Sequence, residues 1–319
     1  MNKTQTRIPV GISSCLLGDE VRFDGSHRRK KELIRWFGAY FDFVGLCPEI
    51  ASGMGVPREP IRLVQGVDGV RMITSRTQQD WTEQMVAASR PIIRSLKRKD
   101  ISGLIVKKDS PSCGMERVRL YQTEKNHTRT ETGIFIREFK KVLPNVPIEE
   151  EGRLLDRNLR RHFVVRVFAF QRWKELRSSG STRRNLMNFH GENKFLLMAH
   201  DPHGQKCLGR LVAHGNKVPC KKLYDSYETI FMESLGKRRT TGRDVNVLKH
   251  VLGHLRGNSD SREYGHALGA IEEFENGLTP LEAPLTVLRS MVSRGKDQWI
   301  QSQTFFQPHP VSLPLELYG

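Results

Sequence analysis

The sequence predicts an α/β protein with a mostly parallel, Rossmann-like sheet, followed by an all-α domain. Two patterns predict this class. Through about residue 150, short apolar runs alternate with amphipathic stretches at helical spacing, as when crossover helices join parallel strands. Beyond Glu151 the strand punctuation stops and helical periodicity takes over. A third observation concerns function. Cys15, Cys47 and Cys113 each stand where a short apolar run ends in small or turn-forming residues, and ligands gather at strand ends in such sheets.

Ile8–Ser13 reads as the first strand and runs into Cys15. His27–Tyr40 carries Leu33, Ile34, Trp36 and Phe37 at the spacing of an amphipathic helix. Phe41–Leu46 is the next strand and ends at Cys47. After the Gly/Pro-rich loop Ala51–Pro60, Ile61–Val64 and Val70–Thr74 form a strand pair around Gly66, Asp68 and Gly69. Trp81, Met85, Ala88, Ile92 and Leu96 recur at helical spacing, so Gln78–Lys97 is a helix that Pro91 kinks. Ser102–Lys108 is a strand leading into Ser110–Gly114, Gly133–Val142 a helix, and Val146–Glu149 an edge strand.

Leu155–Arg177 lacks strand punctuation and reads as one or two helices, with a break at Ser178–Thr182. Helical patterns then cover Asn185–His200, Gln205–Val212, Leu223–Leu235, Asp244–Arg256, Ser261–Asn276, Leu281–Ser293 and Gln298–Phe305. Gly277 and Pro280 act as stop and start signals between the last of them. The expected organisation is an α/β domain over 1–165, a helical connection over 166–182 and an all-helical domain over 183–319.

A chain of 319 residues has room for two cores. Its net charge of +17 is spread over both halves and attracts polyanions, nucleic acid foremost; the basic stretches Arg28–Lys31, Lys97–Lys99 and Lys237–Arg239 suit phosphate contacts or plain solvated surface. Five cysteines do not make a disulfide framework and fit a reducing cytoplasm. No run of 18 apolar residues exists, and the opening M-N-K-T-Q-T-R-I-P-V lacks the apolar stretch of a secretory signal, so neither membrane insertion nor export is expected.

Cys15, Cys47 and Cys113 are too far apart in sequence for any C-x-x-C motif, so only the fold can unite them. Three converging thiolates can hold a metal centre with one position left open. Such soft ligands select iron–sulfur clusters, zinc or copper(I). The plainer alternative is three small buried hydrophobes, which is the expectation for Cys207 and Cys220. Glu49, just after Pro48, is placed to act as a general base or equally to cap a helix. The Ser110 hydroxyl suits a donor to a substrate heteroatom or an ordinary turn. Arg58, in the loop of Gly53, Gly55 and Pro57, offers a planar donor fork to a carbonyl or phosphate. The G-x-G there lacks the longer dinucleotide pattern, so no nucleotide cofactor is expected.

Three segments, Ser13–Gly18 (S-S-C-L-L-G), Cys47–Arg58 (C-P-E-I-A-S-G-M-G-V-P-R) and Ser110–Gly114 (S-P-S-C-G), resemble in order the motifs of the thiouracil desulfidase family. Lys194–His200, Asp244–Gly253, Gly277–Leu288 and Phe305–Pro310 resemble the YbgA-like helical domain. The fused form looks like the desulfidases that take sulfur from 4-thiouridine in tRNA. The resemblance implies a [4Fe–4S] cluster held by Cys15, Cys47 and Cys113, whose fourth iron takes the thiocarbonyl sulfur. It further implies water activated by Glu49 attacking the ring carbon, Ser110 assisting by hydrogen bonding, and sulfide leaving with no net redox change. Arg58, Ser13 and Ser112 are expected on the substrate side, and tRNA containing 4-thiouridine is the expected partner. Desulfuration of free thiouracil, or a non-enzymatic zinc and nucleic-acid-binding module, are the alternatives. Asp109 and Ile50–Met54 depart from the family pattern.

Overall fold

The computed structural model describes residues 7–123, 126–215, 218–258 and 260–310. The first six residues, the start of the segment expected to lack a secretory signal, lie outside them, as do 311–319. The chain forms two compact units that divide between Gln171 and Arg172.

In the first unit β1 (Ile8–Ser13) lies at the centre of a parallel sheet. It is flanked by β2 (Phe41–Leu46) on one side, and by β5 (Gly103–Val106) and β8 (Ile148–Glu150) on the other. Chain order reverses direction at β1, which makes a topological switch point. Two short helices begin where strands end, α1 (Ser14–Leu17) and α3 (Pro48–Ala51), and α2 (Lys31–Phe37) connects β1 to β2. Ile8, Val10 and Ile12 alternate onto one face and bury against Leu33, Trp36, Phe37 and Phe41.

The strand pair expected around Gly66 exists, as β3 (Ile61–Gly66) and β4 (Gly69–Thr74), but it does not join the parallel sheet. It belongs to a second, mixed sheet of order β4-β3-β6-β7, completed by β6 (Val118–Tyr121) and β7 (His127–Glu131). Leu63, Met72, Val118 and Leu120 build its core with Met85 of α4 (Thr82–Arg98). Helix α4 continues through Pro91. It packs on α5 (Ile134–Val142).

Helix α6 (Arg157–Ser178) is one continuous element. Phe163, Val164 and Val167 from its first part join the core of the parallel sheet. Gly103 makes this approach possible, because a Cβ there would stand 2.8 Å from Val167 Cγ2 and 3.3 Å from Phe163 Cζ. The Arg160 guanidinium lies 4.1 Å from the centre of the Trp36 ring, a cation–π contact.

The second unit is helical: α7 (Arg183–Glu192), α8 (Lys194–His200), α9 (Pro202–Ala213), α10 (Cys220–Gly236), α11 (Thr241–Leu255), α12 (Ser261–Glu275), α13 (Glu282–Arg294) and α14 (Gln298–Gln301). Trp173 anchors an aromatic core, stacked on Tyr227 at 5.2 Å, with Phe189 and Tyr224 each at 5.4 Å. Its indole N–H donates to Glu228 at 2.7 Å. The single helix expected over Asn185–His200 is two. Buried Asn193 turns its side-chain amide back to the Phe189 carbonyl at 2.8 Å, a local bond that competes with helical continuation. Among the described residues, no helix is long and apolar enough to cross a membrane.

Candidate functional site

Three strand ends of the parallel sheet meet at the switch point. Ser13 of β1 is in register with Leu46 of β2, and Ile12 with Ile105 of β5. Cys15 and Cys47 therefore follow their strands at nearly the same level. The Ser13 hydroxyl accepts the Lys107 N–H at 3.1 Å, tying the end of β1 to the end of β5. Cys113 arrives in the turn beyond β5. The Gly114 N–H donates to the Ser110 carbonyl at 2.8 Å, and the Cys113 N–H to the Ser110 hydroxyl at 3.1 Å.

The start of α5 clamps that turn. The N–H groups of Ile134 and Phe135 donate to the carbonyls of Pro111 and Ser112 at 3.1 and 3.0 Å, satisfying first-turn donors. Gly133 lies so close that a Cβ would stand 2.3 Å from the Ser112 carbonyl oxygen and 2.8 Å from the Cys113 nitrogen. Both obstacles are backbone, so the clash is relieved only by moving Cys113. Gly133→Ala is therefore expected to cost about 1–3 kcal/mol of stability and to lower the metal content of purified protein. Thermal unfolding and iron analysis of the variant check this.

Cys15, Cys47 and Cys113 line one cavity of about 710 Å³, together with Ser13, Glu49 and Ser110, a size suited to a small-molecule site. Arg62, Arg119 and Tyr121 of the second sheet contribute to its wall. Burial raises all three thiol pKa values, Cys15 to about 11 and Cys113 well above the ordinary thiol value. Glu49 adds to the shift in each case, and the thiols raise one another at Cys15 and Cys113. Three thiols on one cavity are soft donors, the chemistry that a thiolate-held metal group needs. Among the described residues no group of three His, Cys, Asp or Glu is set to hold a metal ion; what the thiols share is a cavity.

The Glu49 carboxylate is held from several sides. Ser112 Oγ donates to Oε1 at 2.7 Å, Ser110 Oγ stands 3.5 Å from the same oxygen, and the two hydroxyls are 2.9 Å apart. Arg58 Nη2 pairs with Oε2 and also donates to the Val21 carbonyl at 3.0 Å. Arg58 and Ser112 were expected on the substrate side. Neither lines the cavity: the Arg58 side chain is 7% exposed and Ser112 fully buried, and both face Glu49 from behind. Cys207 and Cys220 lie in the helical unit, away from this set. Asp109 lines the cavity and pairs with Arg129 at 2.9 Å. Sequence reasoning missed the cavity-lining Arg62, Arg119 and Tyr121; their signal is alternation, since Arg62 and Arg119 each precede a buried leucine.

Strand ends thus deliver three thiols and a braced carboxylate to one cavity of an α/β protein. The chain belongs to the 2-thiouracil desulfurase family over residues 10–151, and over residues 194–310 to a protein family of unknown function, DUF1722. It is similar to the uncharacterized protein YbgA of Escherichia coli (strain K12), 28% identical over 157 residues, covering 49% of this chain and 93% of that protein. It is also similar to the uncharacterized protein YbbK of Bacillus subtilis (strain 168), 34% identical over 108 residues, covering 32% of this chain and 71% of that protein. A solved structure, the [4Fe-4S]-dependent thiouracil desulfidase TudS, is 25% identical, covers 47% of this chain and 94% of that chain, and has a TM-score of 0.38.

Proposed function

We propose that this protein is a hydrolytic desulfidase that converts 4-thiouridine in tRNA to uridine, using a [4Fe–4S] cluster held by Cys15, Cys47 and Cys113. The observation that carries the reading is one cavity lined by those three thiols, Glu49 and Ser110. When bound, the cluster supplies Lewis acidity toward the thiocarbonyl sulfur. The rest falls to the side chains. Glu49, pinned by Arg58 and Ser112, takes a proton from the attacking water. Ser110, on the cavity surface and 2.9 Å from Ser112, hydrogen-bonds the reacting ring and passes protons toward Glu49. One water enters, hydrogen sulfide leaves, and no electrons are exchanged. Ser13 holds the ends of β1 and β5 together beneath the site.

Two features support a polyanionic substrate: the net charge of +17 and a helical domain beside the desulfurase domain in sequence. A base inside folded tRNA has to be extruded at a cost of a few kcal/mol, which phosphate contacts offset. The test is incubation of anaerobically prepared protein with native bacterial tRNA, followed by nucleoside analysis. Loss of 4-thiouridine with matching gain of uridine is the expected result, and KM for tRNA should rise steeply with added salt while that for free 4-thiouracil stays flat. Turnover of the free base alone would overturn the tRNA assignment.

A further inference from the structure

Glu149, Glu150 and Glu151 stand in a row at the end of edge strand β8, and none is more than 6% exposed. Carboxylates so deeply placed persist only where donors meet them, and most of the donors here come from the segment that carries Cys113. Glu150 of β8 is in register with Val106 of β5, so the three acids stand level with the point where the chain leaves β5. Glu151 Oε2 accepts the Lys108 N–H at 2.7 Å, and its Oε1 pairs with Lys107 Nζ at 2.6 Å. Glu150 Oε1 accepts the Met115 N–H at 3.0 Å. Glu149 holds Arg153 at 2.6 Å, and Arg153 reaches on to Glu116 at 2.5 Å.

Lys108 and Met115 bracket the turn of Ser110, Ser112 and Cys113. Asp109 and Arg117, beside the two attachments, take φ of +58° and +56°. Left-handed backbone at residues with a Cβ persists only where the surroundings over-determine it, and carboxylate bonds on either side supply that constraint. We propose that Glu150 and Glu151 are positioning residues: their carboxylates clamp both ends of the 108–115 turn and so set where the Cys113 sulfur and the Ser110 hydroxyl stand in the cavity. Both bonds end on backbone N–H groups, so they fix the path of the chain rather than a rotamer, and charge-assisted bonds are of the stronger kind. The assignment deepens the proposed cluster reading, and only the iron-release arm of the test rests on that reading.

In the full-length chain freed of metal, labelling by iodoacetamide is followed cysteine by cysteine. Cys113 is 5% exposed and reacts only as its turn opens, whereas Cys15 lies in α1, outside the clamp. E150A and E151A are each expected to speed Cys113 labelling about tenfold, the weight of one hydrogen bond to a charged group, with the Cys15 rate little changed. The amides keep the packing should the alanine variants fail to fold. E150Q retains the single acceptor that Met115 needs and is expected to stay close to wild type. E151Q retains one acceptor where Lys107 and Lys108 use two, so its Cys113 rate should fall between wild type and E151A. A rise shared equally by Cys15 and Cys113 marks general destabilisation and overturns the clamp, as does an unchanged Cys113 rate in every variant. In cluster-loaded protein the same variants are expected to release iron to a chelator faster, in the same order. Selective labelling without faster iron release leaves the clamp standing and takes Cys113 out of the ligand set.

Discussion

Replacing Glu49 by Gln is expected to leave the cluster in place and to lower kcat by about a hundredfold to ten-thousandfold, the range of a lost general base. The amide keeps the shape of the side chain and an acceptor for Ser112, so the packing beneath the cavity survives. What disappears is the basic oxygen and the charge that Arg58 faces. Iron and sulfide content of the purified variant should match wild type, and KM should move far less than kcat. A variant that turns over at the wild-type rate places the base elsewhere.

Cys113→Ser has the other large effect. A serine hydroxyl does not ionise at neutral pH and is a poor ligand for a soft metal, so the variant is expected to lose bound iron, labile sulfide and measurable turnover. The hydroxyl is close in size to the thiol, and the turn around it is held by backbone bonds from Gly114, Ile134 and Phe135. Circular dichroism should therefore report a folded chain. Cys207→Ser, in α9 of the helical unit, should keep both iron and activity. Retention of iron and activity in the Cys113 variant would remove the cysteine from the ligand set.

Much of the first unit was legible because its signals are local. Apolar runs that end in cysteine mark β1 and β2, and the S-P-S-C-G turn marks the region beyond β5. The second sheet was less legible. In β7, H-T-R-T-E is polar throughout and half of β6 is arginine or tyrosine, so neither stretch carries the apolar content that identifies a strand. Pairing of β6 with β3, more than fifty residues earlier, and of β7 with β6 makes them strands. The support of Glu49 was hidden for the same reason. Ser112 lies 63 residues from Glu49 in sequence, and nothing in its neighbours reveals which carboxylate it serves. An arginine in a Gly/Pro-rich loop suits a donor fork to substrate, but the fold turns the Arg58 side chain inward to Glu49, leaving it 7% exposed.

The burial of Cys15 and Cys113 also bears on their reactivity before any metal is bound. Burial raises the pKa of both thiols, and a protonated thiol is a weak nucleophile, so slow alkylation is expected at these two positions in metal-free protein. On the proposed ligand set, metal loading would have to expel those protons. Alkaline conditions would then favour loading and acid oppose it, so the burial that quiets the thiols would also set the pH at which they take up metal.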